Sequence, residues 1–346
     1  TDGGKTWQRQ ISGANADLYS ITFIDAQNGW AVGNGGTILA TKDGGKKWYP
    51  QTRSTNARRN NTNARLNSIT FIDTNRGWVA GGGIFSERVI LATEDGGKTW
   101  QRQNSGTTRG LNNITFDTDA KHGWVVGSGG TILATKDGGR TWHQQASGAD
   151  REFNSITFNT DAKYGWAAGE NGTILATSDG GKTWYSQTSG LDKDPTTRDY
   201  DKGLHSIIFI DAQHGWVVGF NNILATVDGG KTWQRQSREN YQSIMPCGIT
   251  FIDDQHGWMT GLSGIILATT DGGKTWRRQN RDTVAGLHSI TFIDVQHGWV
   301  AGDSGSILAT EDGGKTWQRQ TSGTGERLRS ITFIDVQHGW VAGDSG

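Results

Sequence analysis

Eight aspartates occupy one recurring setting, Asp-Gly-Gly-[Lys/Arg]-[Lys/Thr]-Trp, at Asp2, Asp43, Asp95, Asp137, Asp179, Asp228, Asp271 and Asp312. Carboxylates are the first residues to consider for a metal site, but these stand 41 to 52 residues apart, one per repeat. Spread so evenly, they cannot converge on one ion. A local task fits them better. A short acid in a turn accepts backbone N–H bonds, two glycines supply positive φ, and the tryptophan packs the hairpin down. The set is therefore assigned a structural role, and no metal or cofactor is expected. Five histidines precede a Gly-Trp pair (His122, His214, His256, His297 and His338), yet Asn28, Arg76 and Tyr164 take the same place in other repeats. A position exchanged so freely reads as a solvated turn, not a proton relay. No catalytic residue is assigned. Six tyrosines show no partnership of the kind a sialidase needs, and Gly-X-Ser-X-Gly, HExxH and a true phosphate loop are missing from the sequence.

What must position these residues is a repeat. Beside the aspartate motif, Ile-[Thr/Ile]-Phe begins at Ile21, Ile69, Ile114, Ile156, Ile207, Ile249, Ile290 and Ile331, and Gly-Trp follows each time. The two tryptophan positions absorb all 16 tryptophans. In the seventh repeat the apolar runs are Ser-Ile-Thr-Phe-Ile-Asp, Gly-Trp-Val-Ala-Gly, Ser-Ile-Leu-Ala-Thr and Lys-Thr-Trp-Gln-Arg-Gln, separated by turn residues. Four short strands per unit, with no helical period, predict an all-β protein: a β-propeller of four-stranded antiparallel blades. Composition agrees. There are 52 glycines for tight turns, and hydrophobic residues are only 33% but include large indole rings. The 34 basic and 34 acidic residues balance, so no attraction to nucleic acid is expected, and no apolar run is long enough for membrane insertion. A lone cysteine, Cys247, forbids an intrachain disulfide.

One propeller domain over 1–346 is expected, with complete units at about 20–50, 68–102, 113–144, 155–186, 206–235, 248–278 and 289–319. Residues 330–346 would be joined by an N-terminal strand from 1–10 to give a closing eighth blade. Seven blades with loose ends is the alternative, because nothing equivalent to Ser-Ile-Leu-Ala-Thr lies between Gly346 and Asp2. Residues 289–305 and 330–346 are identical, which suggests a piece of a longer array.

The phrase Thr-x-Asp-Gly-Gly-Lys-Thr-Trp, as in residues 177–184, resembles the Asp-box or BNR repeat. With Ser-Ile-Thr-Phe-Ile-Asp, His-Gly-Trp-Val-Val-Gly and Gly-Thr-Ile-Leu-Ala-Thr before it, the unit resembles the photosystem II assembly and stability factor family. That resemblance implies a propeller, usually of seven blades, that binds a membrane-protein precursor. It also implies an extracytoplasmic setting: periplasmic, thylakoid-lumenal or secreted. The expected function is a non-enzymatic binding or assembly scaffold with a protein or glycan partner. An Asp-box glycoside hydrolase or lectin is one alternative, and an architectural domain of a larger surface protein is another.

In a four-strand meander the second-to-third and blade-to-blade loops share one face. The variable connections, 51–68, 187–206, 234–248, 279–289 and 81–88 with Ile84 and Phe85 at its tip, all fall there. Two variable series point to a ligand funnel. One precedes Ser-Ile-Thr-Phe: Tyr19, Asn67, Asn112, Asn154, His205, Cys247, His288 and Arg329. The other follows the second strand: Asn34, Ser128, Glu170, Phe220, Leu262, Asp303 and Asp344. Arg53, Arg58, Arg59, Arg65 and Arg88 form a candidate basic loop patch.

Overall fold

A computed structural model of the chain describes residues 2–51, 64–83, 87–191, 202–220, 222–238, 245–279 and 285–346. It is an all-β propeller whose blades are antiparallel meanders. The first blade runs Leu18–Phe23, Gly29–Gly33, Ile38–Thr41 and Tyr49–Pro50, from the axis outward. Six more four-strand meanders begin at Leu66, Leu111, Phe153, Leu204, Pro246 and Leu287. The blade beginning at Pro246 gains a fifth strand, Ser237–Arg238, parallel to Thr275–Arg278.

Seven complete blades are therefore present, the alternative count, and not eight. The last repeat yields a two-stranded sheet, Leu328–Phe333 with Gly339–Gly343. Its expected N-terminal strand does not form: residues 2–10 carry turns but no strand. The reason is ladder chemistry. In every full blade the outermost antiparallel strand pairs with the third, and the last unit has no third strand to accept it. The ring still closes through side chains, since Leu328–Phe333 packs against both Leu287–Phe292 and Leu18–Phe23.

Burial explains the repeat. All five residues of the Gly-Trp strand are buried in each full blade, because both faces are covered by neighbouring blades. Its first glycine is obligatory, since a Cβ on Gly29 would lie 2.3 Å from the Phe23 ring. Between blades, one aromatic triad recurs. Trp30 stacks on Phe71 of the next blade at 3.6 Å between ring centroids, and Trp100 meets that phenylalanine edge-on at 5.9 Å. Trp30 Nε1 also donates to Gly96 O, in the aspartate turn of that blade, at 3.0 Å. The pattern continues across the incomplete unit. Trp299 donates to Gly3 O and Trp340 to Gly44 O, while Trp7 packs edge-on against Phe333 and Trp340 stacks on Phe23. Each tryptophan takes part in a joint of this kind.

The aspartate motif is the hairpin staple expected of it. Thr135 Oγ1 donates to Asp137 Oδ1 at 2.8 Å and accepts from Gly139 N, while Thr141 donates to Asp137 through its amide and hydroxyl. Gly138 and Gly139 adopt φ of 74° and 89°. Burial opposes the charge on Asp137 and Asp179. Hydrogen bonds from the flanking threonines outweigh it and hold both carboxyls at about 2, against an ordinary 3.8.

Two outcomes follow. Trp166→Ala, at a side chain 1% exposed, should lower unfolding free energy by about 3–5 kcal/mol. Tyr185→Ala, 59% exposed, should change it by less than about 0.5 kcal/mol. Urea midpoints would show both. A carboxyl held below its unfolded value stabilises the fold above that value and loses the contribution as pH falls toward the folded one. The midpoint should therefore drop between about pH 4 and pH 2, and less steeply in Asp137→Asn. A midpoint indifferent to pH across that window would contradict the assignment.

Candidate functional site

The first variable series turns out to be a ring of β-bulges. Leu18 pairs with Gly33 and Ser20 with Val32, so Tyr19 is left without a cross-strand partner. The same slip isolates Asn67, Asn112, Asn154, His205, Cys247, His288 and Arg329. A bulge adds one residue on one strand and re-aims its side chain, a device common at the rims of closed sheets. The second series is brought alongside by a backbone bond. The amides of Asn34, Ser128, Glu170, Phe220, Leu262, Asp303 and Asp344 each donate to the carbonyl two residues before the bulge.

Not every ring member is free for a ligand. Asn67, Asn112 and Asn154 donate their side-chain amides to Leu111 O, Phe153 O and Leu204 O at 2.8–2.9 Å, latching each blade to the next. Asn112 also reaches Glu152. His205 packs edge-on against Phe220 at 4.9 Å, and burial lowers its pKa although Glu170 pulls the other way. Burial likewise pushes the Cys247 thiol up to about 11.

The remaining sector is charged. His288 Nε2 lies 2.8 Å from Asp303 Oδ1, which also accepts from Arg327 Nε at 2.6 Å. Arg329 forms a two-point pair with Asp344. Burial works against the charges on Asp303 and Arg329, but these partners prevail, lowering the pKa of the aspartate and raising that of the arginine. Tyr19 lies between two guanidiniums, with Arg65 4.3 Å and Arg329 5.1 Å from its ring centroid.

Sequence reasoning missed Asp17, Glu152 and Arg327. They belong to a third series, two residues before each bulge: Asp17, Arg65, Gly110, Glu152, Gly203, Met245, Gly286 and Arg327. Its variability was visible in the repeats and would have identified it. Of the basic loop set, Arg53, Arg58 and Arg59 lie outside the described residues, as do Ile84 and Phe85. Arg65 and Arg88 flank Gly82, which donates its amide to Arg65 O and whose Cβ position lies 2.8 Å from Arg88 Cα.

On the opposite face the histidines close turns. His214, His256, His297 and His338 each contact the aspartate three residues earlier through Nδ1. Asn28 and Arg76 do the same with Asp25 and Asp73. Asp117, Asp119 and His122 bring ligand atoms within 4.8 Å of one another, at the same turn position.

A family model described as Photosynthesis system II assembly factor YCF48 matches residues 1–108, 100–196, 193–283, 237–319 and 280–346. A curated relative, the photosystem II assembly protein Ycf48 of Thermosynechococcus vestitus, is 37% identical over 46 residues, spanning 13% of this chain and 13% of that protein. Among solved structures, a YCF48 bound to a D1 peptide is 21% identical with a TM-score of 0.64, covering 90% of this chain and 98% of its own. The YCF48 of Cyanidioschyzon merolae is 23% identical with a TM-score of 0.60, covering 82% and 94%. The computationally designed Ika8 protein is 12% identical with a TM-score of 0.70, covering 96% and 98%. At these identities the solved structures speak to fold.

A thiol raised from 9.0 to about 11 holds about a hundredfold fewer thiolate ions at pH 8. Cys247 should therefore alkylate with iodoacetamide far more slowly than free glutathione, with a rate still rising beyond pH 10. Alkylation at the glutathione rate would contradict the burial argument.

Proposed function

This chain belongs to the photosynthesis system II assembly factor YCF48 family, and from that membership we propose that it is a non-enzymatic assembly scaffold acting as a single propeller domain. It binds an extended polypeptide segment of a photosystem protein at the mouth of the ring, on the variable-loop face. The observation that carries the reading is the Arg65–Tyr19–Arg329 stack. A tyrosine that holds two guanidiniums at the rim offers what a peptide needs: fixed cationic donors for its carbonyl or carboxylate oxygens. Family membership and the solved YCF48 holding a D1 peptide support a peptide as the ligand. Binding is favoured over chemistry because Asp303 and Asp344 are each engaged by an arginine, and His288 and Arg327 hold the Asp303 carboxyl below the usual carboxylate range despite its burial, which unsuits it as a general acid. The family also supports an extracytoplasmic site of action, the thylakoid lumen. No helix among the described residues is long and apolar enough to cross a membrane.

A labelled D1 peptide should bind with a Kd on the order of micromolar by fluorescence anisotropy, weakening as salt rises. Tyr19→Ala and Arg329→Gln should each weaken it about tenfold, while His214→Ala on the opposite face should leave it unchanged. Equal losses in all three variants, or no binding by the wild type, would sink the proposal.

A further inference from the structure

The first turn of the third repeat holds a donor set that no other repeat carries. There the chain reads Phe116-Asp-Thr-Asp-Ala-Lys-His-Gly-Trp124, one residue longer than Phe23-Ile-Asp-Ala-Gln-Asn-Gly-Trp30. The extra residue lets two carboxylates and one imidazole close on each other. Ligand atoms of Asp117, Asp119 and His122 all lie within 4.8 Å of one another. His122 Nδ1 is 2.7 Å from Asp117 Oδ2 and 4.0 Å from Asp119 Oδ1. Donors around a tetrahedral zinc stand about 3.4 Å apart, between those two separations. The side chains of Asp119 and His122 are 50% and 41% exposed and can adjust, whereas that of Asp117 is 7% exposed and held by the His122 amide.

Forming the turn does not require these charges. The fourth repeat has the same length, Phe158-Asn-Thr-Asp-Ala-Lys-Tyr-Gly-Trp166, with Asn159 and Tyr164 in the two places. Its turn closes in the same way. Asn159 Oδ1 accepts from Tyr164 N at 2.9 Å, as Asp117 Oδ1 accepts from His122 N at 3.2 Å. Asp161 and Asp119 each accept from the lysine amide two residues on, and Ala162 and Ala120 take a left-handed backbone with φ of 58° and 64°. A neutral amide therefore suffices for the fold. In the six remaining repeats that place is isoleucine, and Ile24, Ile72, Ile293 and Ile334 pack on the apolar clusters between blades. A carboxylate put there, beside a second one, costs desolvation and repulsion that a bound dication would offset. Lys121 Nζ, 3.8 Å from Asp119 Oδ2, answers part of that charge from an exposed side chain that can swing away, and Arg76 reaches the Asp119 main-chain carbonyl.

We propose that Asp117, Asp119 and His122 bind a divalent transition ion of the zinc class, with two carboxylate oxygens and one imidazole nitrogen on the metal. The remaining position is open to water or to a partner's side chain. The imidazole coordinates through Nδ1 as its Nε2–H tautomer. A mixed nitrogen and oxygen set favours zinc over calcium or magnesium, which take oxygen ligands in greater number. The site lies on the face opposite the ring mouth, and the inference does not rest on the peptide role proposed there.

Zn2+ titrated by calorimetry into the whole metal-free chain should show one saturable equivalent and raise Tm. Asp117→Asn combined with His122→Tyr copies the turn of the fourth repeat. It should fold with an unchanged Tm in the absence of metal and bind Zn2+ at least about tenfold more weakly, since even an outer partner of a ligand is worth that much. The converse pair, Asn159→Asp with Tyr164→His, should install the same set beside Asp161 and add a second equivalent. Ca2+ in equal amount should leave the Zn2+ isotherm unchanged. Absence of a saturable equivalent, or the same isotherm in the Asp117→Asn, His122→Tyr variant, would overturn the proposal. So would displacement by Ca2+, which would leave the imidazole no part, or a folded converse variant that still takes up one equivalent.

Discussion

The joint between blades is a phenylalanine held between two tryptophans, one stacked from the preceding blade and one edge-on from its own. Everything else in the molecule depends on it. Backbone contacts between ring neighbours are confined to loops and to the short strand Ser237–Arg238, so side chains carry most of the spacing. Flat rings at 3.5–3.7 Å set that spacing at all eight stacked pairs. The indole N–H then fixes rotation by reaching a carbonyl in the next blade's aspartate turn. This ties the outer turn, the glycine beside the tryptophan and the phenylalanine into one requirement, and accounts for their joint repetition.

Rigid joints of this kind allow the rim to vary. A bulge at the start of each innermost strand takes its side chain out of the ladder, so its identity is released from packing. The identical segments 289–305 and 330–346 show the effect. Asp303 and Asp344 occupy the same place in the same sequence, yet one serves His288 and Arg327 while the other serves Arg329. Changing the bulge residue and the residue two positions before it rewrites the local electrostatics.

Much of this was legible in the sequence, because the determining contacts lie within one repeat. The turn aspartate, its two glycines and its threonine are neighbours in the chain, and their role followed from turn chemistry. Blade number was not legible in the same way. It depends on whether residues near Gln10 find a third strand to pair with, a contact between distant segments that no local pattern encodes. The two funnel series were located by variability, but variability does not distinguish an asparagine that latches a carbonyl from an arginine aimed outward. Asn112 and Arg329 look equivalent in an aligned repeat. Phe153 O lies within reach of the first, and Asp344 with Tyr19 within reach of the second. Bulges are equally silent, since strand residues on either side of the slip remain ordinary.

The uniformity of the joint has a bearing on how such a chain arises and changes. An interface that is the same at every position carries no information about how many times it occurs. Duplicating or deleting one unit of the gene creates no mismatched surface, because each new neighbour presents the same phenylalanine, indoles and glycine carbonyl. Only the angle between units must relax, by a small amount shared around the circle. Copy number is thus free to drift while the joint itself stays the same.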